Sequence, residues 1–282
     1  MSYLQLALIA LVQGITEWLP ISSSAHVLLA ADYFGLEGPE ELLINAMAHL
    51  GTLFAILIYF WRDFVKASIG GVELFASPMS KKPLSDGAHL ALMIIVATPL
   101  ALGIAAGWEI LASDAMKDSM RNAYVVAGST IFFGALLWWA DAKGKTHRTE
   151  KDMSIKDAFL IGLTQCVAAL IPGTSRSGIT MTASRALGFS REEAARFSML
   201  IGAPMLAAVG LYAFLELSQA GGNTGDATLM DGLYVAALSF VSGIVSIAAL
   251  MAILKRMSFL PFVIYRFALG GLLLFMAPHI VG

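Results

Sequence analysis

The sequence predicts an all-α polytopic membrane protein with six transmembrane helices, two re-entrant helical hairpins and an inverted-topology internal repeat. Composition, the lengths of the apolar segments and a duplicated proline–hydroxyl motif support this fold class. Of the 282 residues, 58% are hydrophobic and only 13% are charged, and the net charge is −2. Because soluble domains carry about 25% charged residues, this composition excludes a water-soluble enzyme, and it gives no reason to expect a nucleic-acid partner.

The apolar segments fall into two length classes. A membrane-crossing helix needs about 20 apolar residues, and six segments meet or approach that length: 42–60, 89–108, 123–140, 197–217, 233–254 and 260–280. Four shorter segments form two pairs, each interrupted by a proline and hydroxyl residues: 3–19 with 25–35, and 156–171 with 178–188. Since roughly 10–15 helical residues reach only half-way through a bilayer, each pair predicts a re-entrant hairpin whose tip lies near the midplane.

The two interrupted pairs are copies of one another. A shift of 152 residues matches Leu11 with Leu163, Gln13 with Gln165, Pro20 with Pro172, Ser22 with Thr174 and Ser23 with Ser175. In the same register Glu17 meets Ala169 and His26 meets Gly178, so the copies differ in their chemistry. We therefore expect a single integral membrane domain, 1–282, with repeat halves of about 1–140 and 155–282.

The basic residues predict the orientation in the membrane. Fourteen of the 18 Lys and Arg residues fall on the side that holds the loop 61–88, and two fall on the other side. The positive-inside rule makes the basic side cytoplasmic, which places both termini outside. The first hairpin then enters from outside and the second from the cytoplasm. Inverted repeats whose broken helices meet at the midplane commonly form a site there.

The second motif, residues 172–180, reads Pro-Gly-Thr-Ser-Arg-Ser-Gly-Ile-Thr and predicts a buried phosphate site. A charge at membrane depth costs at least about 2.5 kcal/mol, so Arg176 should face a polar cavity and a partner. Pro172 breaks the preceding helix, and Thr174 or Ser175 can cap the next one. The exposed N–H groups of a helix start and a guanidinium both suit phosphate oxygens.

The first motif, residues 13–26, adds a carboxylate, hydroxyls and an imidazole. Gln13 and Glu17 share one helix face directed toward Arg176. Glu17 could neutralise Arg176, bind a divalent cation or position a nucleophile. His26 could activate Ser23 for phosphoryl transfer, act on a water directly, or protonate the leaving oxygen.

Structural interpretations compete with these roles. Glu17 and Arg176 could form an ion pair that only locks the two motifs together, and the hydroxyl residues could only cap half-helices. His49, at the start of a span, could line the cavity, and Arg266 could snorkel or pair. The lone Cys166 excludes an intrachain disulfide.

The two motifs give the chain a resemblance to the undecaprenyl-diphosphate phosphatase family of bacterial membranes, which is associated with bacitracin resistance. The first matches (Glu/Gln)-x-x-x-Glu followed by Pro-x-Ser-Ser-x-x-His, and the second matches Pro-Gly-x-Ser-Arg-Ser-x-x-Thr. A looser match is Phe-Leu-Pro-Phe-Val-Ile-Tyr-Arg-Phe at 259–267. The resemblance covers essentially the whole chain. It implies hydrolysis of undecaprenyl diphosphate to undecaprenyl phosphate, which recycles the lipid carrier for peptidoglycan synthesis.

The resemblance also implies roles for individual residues. The implied catalytic residues are Glu17, Ser23, His26 and Arg176. The implied substrate-binding residues are Gln13, Ser22, Gly173, Thr174, Ser175, Ser177 and Thr180. Glu17 is the implied ligand of a divalent cation, Mg²⁺ or Ca²⁺. This chain has Gln13 where the family also permits Glu, so a site with two carboxylates is not expected. The implied location is the bacterial cytoplasmic (inner) membrane, with the active site open to the outer face.

Two other functions fit the same architecture. A transporter or flippase of lipid phosphates or other anions would use a similar midplane site, but it would not require Glu17, Ser23 and His26 opposite Arg176. A scaffold or immunity-type protein with a degenerate site is disfavoured because the second motif is complete. The expected partners are a polyprenyl diphosphate and membrane lipids, and a homodimer is compatible with so hydrophobic a chain.

Overall fold

The computed structural model describes residues 2–23, 25–26, 39–76, 83–144, 148–219 and 227–280. Within these ranges the secondary structure is helical, apart from turns and one isolated bridge between Arg148 and Phe189. The α-helices are α1 (Tyr3–Thr16), α2 (Pro39–Tyr59), α3 (Trp61–Ala76), α4 (Asp86–Ala97), α5 (Pro99–Leu111), α6 (Asp114–Met120), α7 (Ala123–Lys143), α8 (Ile155–Leu170), α9 (Arg176–Ala186), α10 (Arg191–Gln219), α11 (Leu229–Leu254) and α12 (Leu260–Ile280).

Six helical stretches of the described chain are long and apolar enough to cross a membrane, as predicted: Leu42–Tyr59, Asp86–Leu111, Ala123–Lys143, Arg191–Glu216, Leu229–Leu254 and Leu260–Pro278. The second stretch consists of α4 and α5, which meet at Thr98 because Pro99 cannot donate a backbone hydrogen bond. The chain is therefore a multi-span membrane protein.

The shorter helices agree with three of the four short segments. They are α1, α8 and α9, which correspond to 3–19, 156–171 and 178–188. Most of the fourth segment, 25–35, lies outside the described residues. The prediction of a loop over 61–88 was wrong for its first part, because α3 occupies Trp61–Ala76. This helix has 16 residues and carries charged side chains between its apolar ones, so its sequence lacks the continuous apolar run of a membrane span.

Small residues let the helices around the first motif pack closely. α1 packs against α2 and α11, and α2 also packs against α10 and α11. A Cβ atom at Gly14 would stand 1.9 Å from the Ser242 hydroxyl oxygen, so only glycine permits this approach of α1 to α11. Ser246 reinforces the contact by donating to the carbonyl of Ile15 at 2.8 Å. Small residues and interhelical hydrogen bonds are typical of membrane-helix interfaces.

The helices around the second motif form a second group of packed helices. α9 packs against α7, α8 and α10, and α7 packs against α12. Among the described residues, the largest cluster of buried apolar side chains contacts both groups of helices and includes Trp18, Met199, Leu200 and Phe259. Trp18 belongs to the first motif and is fully buried. The core therefore holds the segment that carries Glu17 against α10 and against the start of α12.

Ion pairs connect the charged ends of several helices. Arg196 binds Glu150 at 2.5 Å and also binds Asp63, and Arg185 and Arg191 each bind Asp141 at 2.8 Å. These contacts link α3, α7, α9 and α10 at one end of the molecule. The residues involved belong to the side that the sequence predicts to be cytoplasmic.

The start of α8 carries a further charged contact. Asp157 accepts hydrogen bonds from Arg148 at 2.6 Å and from the Ser154 hydroxyl at 2.7 Å. Burial raises the pKa of Asp157, but the hydrogen bonds and charge of Arg148 and the hydrogen bonds of Ser154 outweigh burial and lower the pKa from 3.8 to about 2. The carboxylate is therefore ionised throughout the physiological pH range.

Candidate functional site

Each motif contains a serine with an unusual backbone conformation. Ser22 has a φ of 73° and Ser175 a φ of 66°. Each serine hydroxyl accepts a hydrogen bond from the backbone three residues later, at 3.4 Å from Ala25 and 3.2 Å from Gly178. A non-glycine residue with positive φ costs about 1–3 kcal/mol, and such residues cluster at functional sites. The two serines therefore mark both motifs as segments held in strained conformations by their surroundings.

Gly173 allows the second motif to approach α7. It has a φ of 86°, and a Cβ atom there would stand 2.1 Å from the Ser129 hydroxyl oxygen. Ser129 donates to the carbonyl of Pro172 at 2.5 Å, and Thr130 donates to the carbonyl of Gly173 at 3.3 Å. The turn is thus fixed to α7 through its backbone, and Gly173 contributes no side chain to bind a substrate.

The structure brings Glu17 and Arg176 into direct contact. The Arg176 Nη2 atom donates to Glu17 Oε1 at 2.8 Å, although the residues are 159 positions apart. Both side chains are largely enclosed, with 7% of Glu17 and 15% of Arg176 exposed. The guanidinium also lies 5.2 Å from the centre of the Trp18 ring, within the range of a cation–π interaction. A buried ion pair therefore joins the two motifs.

One nitrogen of the Arg176 guanidinium has no hydrogen-bond partner among the described residues. Nη1 is buried and makes no hydrogen bond with any described residue. It lies beside Gly202 of α10, where a Cβ atom would come within 1.8 Å of Nη1. An unsatisfied buried donor costs about 1–3 kcal/mol. A ligand oxygen that reached this guanidinium would remove that cost.

Gln13 and His49 extend the site from α1 to α2. The Gln13 Nε2 atom donates to Glu17 Oε2 at 2.9 Å and lies 2.9 Å from His49 Nδ1. His49 Nδ1 is 3.8 Å from Glu17 Oε2. Gln13 is thus placed on the Glu17 face as the spacing predicted. The position of His49 at the start of a span predicted that it could line the cavity, and the structure puts it beside Glu17.

Several hydroxyls of the second motif make hydrogen bonds within the fold. Thr174 and Thr180 are fully buried. Thr174 donates to the carbonyl of Ile171 at 2.6 Å, and Thr180 donates to that of Arg176 at 2.9 Å. Ser177 donates to the carbonyl of Leu19 in the first motif at 3.0 Å. These contacts brace the turn and tie the motifs together, and substrate binding by these hydroxyls stays a prediction.

His26 is held by partners other than Ser23. Its Nδ1 atom lies 2.7 Å from the carbonyl of Ser22, and its Nε2 atom lies 2.6 Å from the Tyr265 hydroxyl. Because a carbonyl only accepts, Nδ1 carries a proton, and Nε2 of the neutral ring accepts from Tyr265. The two rings are stacked, with centres 5.6 Å apart. Sequence reasoning missed Tyr265, although it precedes Arg266 in the segment 259–267.

Arg266 fastens the two motifs to α12. Its guanidinium is fully buried and donates to the carbonyls of Pro20, Thr130, Gly173 and Thr174, at distances of 2.9–3.3 Å. These acceptors come from the first motif, the second motif and α7. Arg266 therefore acts as a cross-link between backbone segments, a role that neither snorkelling nor side-chain pairing describes.

The described side chains do not form a ready-made cation site. Among the described residues there is no group of three or more His, Cys, Asp and Glu side chains that could hold a metal ion. Glu17 brings a carboxylate to this point, and its two oxygens accept hydrogen bonds from Arg176 and Gln13. The donors present thus do not fit a bound divalent cation, and participation of Mg²⁺ or Ca²⁺ stays a prediction.

The fold and the site define a multi-span helical membrane protein with a charged centre enclosed by its helices. The family model described as Bacitracin resistance protein BacA matches residues 6–272, and the chain belongs to this family. An undecaprenyl-diphosphatase from Hyphomonas neptunium is 61% identical over 100% of this chain and 99% of the relative. Proteins of the same name from Maricaulis maris and Jannaschia sp. are 45% and 44% identical, over 97% and 98% of this chain and 98% and 99% of the relatives.

Proposed function

We propose that this protein is a membrane phosphatase that hydrolyses undecaprenyl diphosphate to undecaprenyl phosphate and inorganic phosphate. This activity recycles the lipid carrier for cell-wall synthesis and accounts for bacitracin resistance. The observation that carries the proposal is the buried contact between Glu17 and Arg176 at 2.8 Å, which joins the two motifs at one point. The names of full-length relatives that are 44–61% identical agree with it, and they do not favour the transporter.

Arg176 binds the diphosphate. Its guanidinium sits at the first residue of α9, where backbone N–H groups and the helix dipole favour an anion. A phosphoryl oxygen competes with Glu17 for the guanidinium. Binding of substrate therefore neutralises charge on the phosphoryl group and frees the Glu17 carboxylate at the same place. Phosphoryl transfer depends mainly on such positioning and charge stabilisation.

The chemical step breaks the bond between the terminal phosphorus and the bridging oxygen. The attacking oxygen belongs either to Ser23 or to water, and undecaprenyl phosphate leaves with the electron pair of the broken bond. If Ser23 attacks, water then hydrolyses the phosphoserine and restores the hydroxyl. Glu17 or His26 accepts the proton of the attacking oxygen. For His26 this requires that the Tyr265 hydroxyl first release Nε2, which it occupies in the described structure.

We further propose that α1 and the segment after it, and α8 with α9, form two re-entrant hairpins in inverted repeats of one integral domain. Capping boxes support the repeat: Ser2 pairs with Gln5 at the start of α1, and Ser154 pairs with Asp157 at the start of α8. Both pairs are related by the 152-residue shift that relates the motifs. The basic side faces the cytoplasm of a bacterial inner membrane, and the termini lie outside. The resemblance to the phosphatase family supports a site that opens to the outer face.

The test is phosphate release from a C55 prenyl diphosphate by the purified protein in detergent. Wild type is compared with the variants Glu17→Ala, Ser23→Ala, His26→Ala and Arg176→Ala, each with Mg²⁺ and with a chelator. Arg256→Ala, which removes an exposed arginine after α11, is the matched control. The proposal is supported if wild type and the control release phosphate and if Glu17→Ala and Arg176→Ala do not. Lipid binding without phosphate release by wild type would instead favour the transporter, and residual activity in Ser23→Ala would identify water as the nucleophile.

A further inference from the structure

Gln13 lies between Glu17 and His49 and contacts both. Its Nε2 atom is 2.9 Å from Glu17 Oε2 and 2.9 Å from His49 Nδ1. Gln13 and Glu17 belong to α1 and the turn that follows, whereas His49 belongs to α2. Only 4% of the surface of Gln13 is exposed, so water has little access to these contacts. The orientation of each of these three side chains therefore depends on the other two.

The Glu17 carboxylate fixes the orientation of the Gln13 amide. An ionised carboxylate only accepts hydrogen bonds, and the contact with Arg176 keeps Glu17 ionised. Gln13 must therefore turn its NH₂ group, not its carbonyl oxygen, toward Glu17. The reversed amide would place two acceptor oxygens against each other in a buried site.

The orientation of the amide in turn fixes the imidazole of His49. An amide NH₂ group has two hydrogens and accepts none, so the second hydrogen points to His49 Nδ1. Nδ1 must therefore carry a lone pair, and the proton of the neutral ring sits on Nε2. Among the described residues Nε2 has no hydrogen-bond partner, and 26% of the His49 side chain is exposed. The contact through Nδ1 is thus the one that holds the ring at the site.

We propose that His49 is a further positioning residue of the phosphatase site. As a hydrogen-bond acceptor it holds the Gln13 amide with its NH₂ group toward Glu17, and Gln13 in turn holds the Glu17 carboxylate against Arg176. This inference rests on the proposed phosphatase function. It assigns a role to the amide of Gln13, at a position where the family permits Glu or Gln, because a glutamate there would repel Glu17 and could not donate to His49.

The test compares two substitutions of His49 in the phosphate-release assay. His49→Gln keeps an acceptor oxygen within reach of Gln13, whereas His49→Leu keeps the volume and removes the acceptor. We expect His49→Leu to lower kcat about tenfold with less than about a twofold change in KM, as the loss of one buried hydrogen bond predicts. His49→Gln should restore most of kcat. His89→Leu removes a histidine hydrogen bond of 2.9 Å to Met153, away from the site, and should leave turnover unchanged.

A double substitution separates positioning through Gln13 from a general packing effect. In a Gln13→Leu background the intermediary is absent, so His49→Leu should cause no further loss of kcat. Thermal unfolding in detergent is measured for every variant to identify any that fail to fold. The inference is overturned if wild type is active and His49→Leu has full kcat, if His49→Gln is as slow as His49→Leu, or if the losses of Gln13→Leu and His49→Leu multiply. Absence of phosphate release by wild type would instead overturn the proposed function.

Discussion

The two motifs have the same backbone plan but different chemistry. In each, a proline precedes a serine with positive φ that caps the next helical turn. The serine with positive φ comes two positions after Pro20 in the first motif but three positions after Pro172 in the second, so Ser22 and Ser175 differ by one position in the 152-residue register. The first motif carries a carboxylate and an imidazole, and the second carries a guanidinium and a helix start. Anion binding and proton transfer are thus divided between two related segments, and the site exists only where they meet.

The largest effect is expected from breaking the contact between the motifs. Arg176→Ala removes the anion-binding group and leaves Glu17 buried without its partner, so kcat should fall about 10²–10³-fold, the range for loss of one charge-stabilising donor. Phosphate release measures this effect. Arg176→Lys keeps the charge but loses the planar fork and should fall between wild type and Arg176→Ala. Activity of Arg176→Ala near the wild-type level would contradict the division of roles.

The next effect tests Gly173, which takes the place that Ile21 has in the first motif. Gly173→Ala must place a Cβ atom 2.1 Å from the Ser129 hydroxyl in a backbone conformation with φ of 86°. The free energy of unfolding should fall by at least about 1–3 kcal/mol, measured by thermal unfolding in detergent. Gly271→Ala is the matched control, because a Cβ atom there meets nothing within 4 Å. Equal stability of the two variants would show that the turn of the second motif does not need glycine.

A smaller effect should follow from Tyr265→Phe, which acts on the first motif alone. The variant loses the hydroxyl that donates to His26 Nε2 but keeps the stacked ring. One hydrogen bond contributes about 0.5–1.5 kcal/mol, so kcat should change by about 2- to 12-fold. Tyr234→Phe, whose ring packs on Tyr3, is the control. A kcat for Tyr265→Phe equal to that of the control would exclude Tyr265 as a positioning residue.

The smallest effect concerns the helices that lead into the motifs. The capping box of α1 is neutral, with Ser2 and Gln5, whereas that of α8 uses Ser154 and Asp157. The pKa of Asp157 is lowered to about 2 in the folded protein. Its contribution to stability is therefore complete above about pH 4 and is lost as the pH falls from about 4 to 2. Asp157→Asn should flatten this part of the stability curve measured by thermal unfolding, and an unchanged acid slope would contradict the prediction.

The sequence predicted the parts of the fold that depend on length and hydropathy. Six spans and three short helices appear where the apolar segments predicted them, because burial in lipid requires long runs of apolar residues. α3 was missed because an amphipathic helix needs only one apolar face. The contact of Glu17 with Arg176 could be predicted because a buried charge is costly and needs a partner. The partners of His26 and Arg266 could not be predicted, because contacts with a tyrosine hydroxyl and with four backbone carbonyls leave no pattern in the sequence.

Arg266 has a consequence for how the chain is made. It binds the carbonyl of Pro20, which lies 246 residues earlier, and the neighbouring Tyr265 binds His26 across 239 residues. A ribosome synthesises these residues in order, so the first motif enters the membrane long before the helix that satisfies its backbone exists. Until α12 is inserted, this carbonyl must find water, lipid headgroups or an insertion factor. Assembly of the site therefore waits for the insertion of α12, and a chain that stops before α12 cannot complete it.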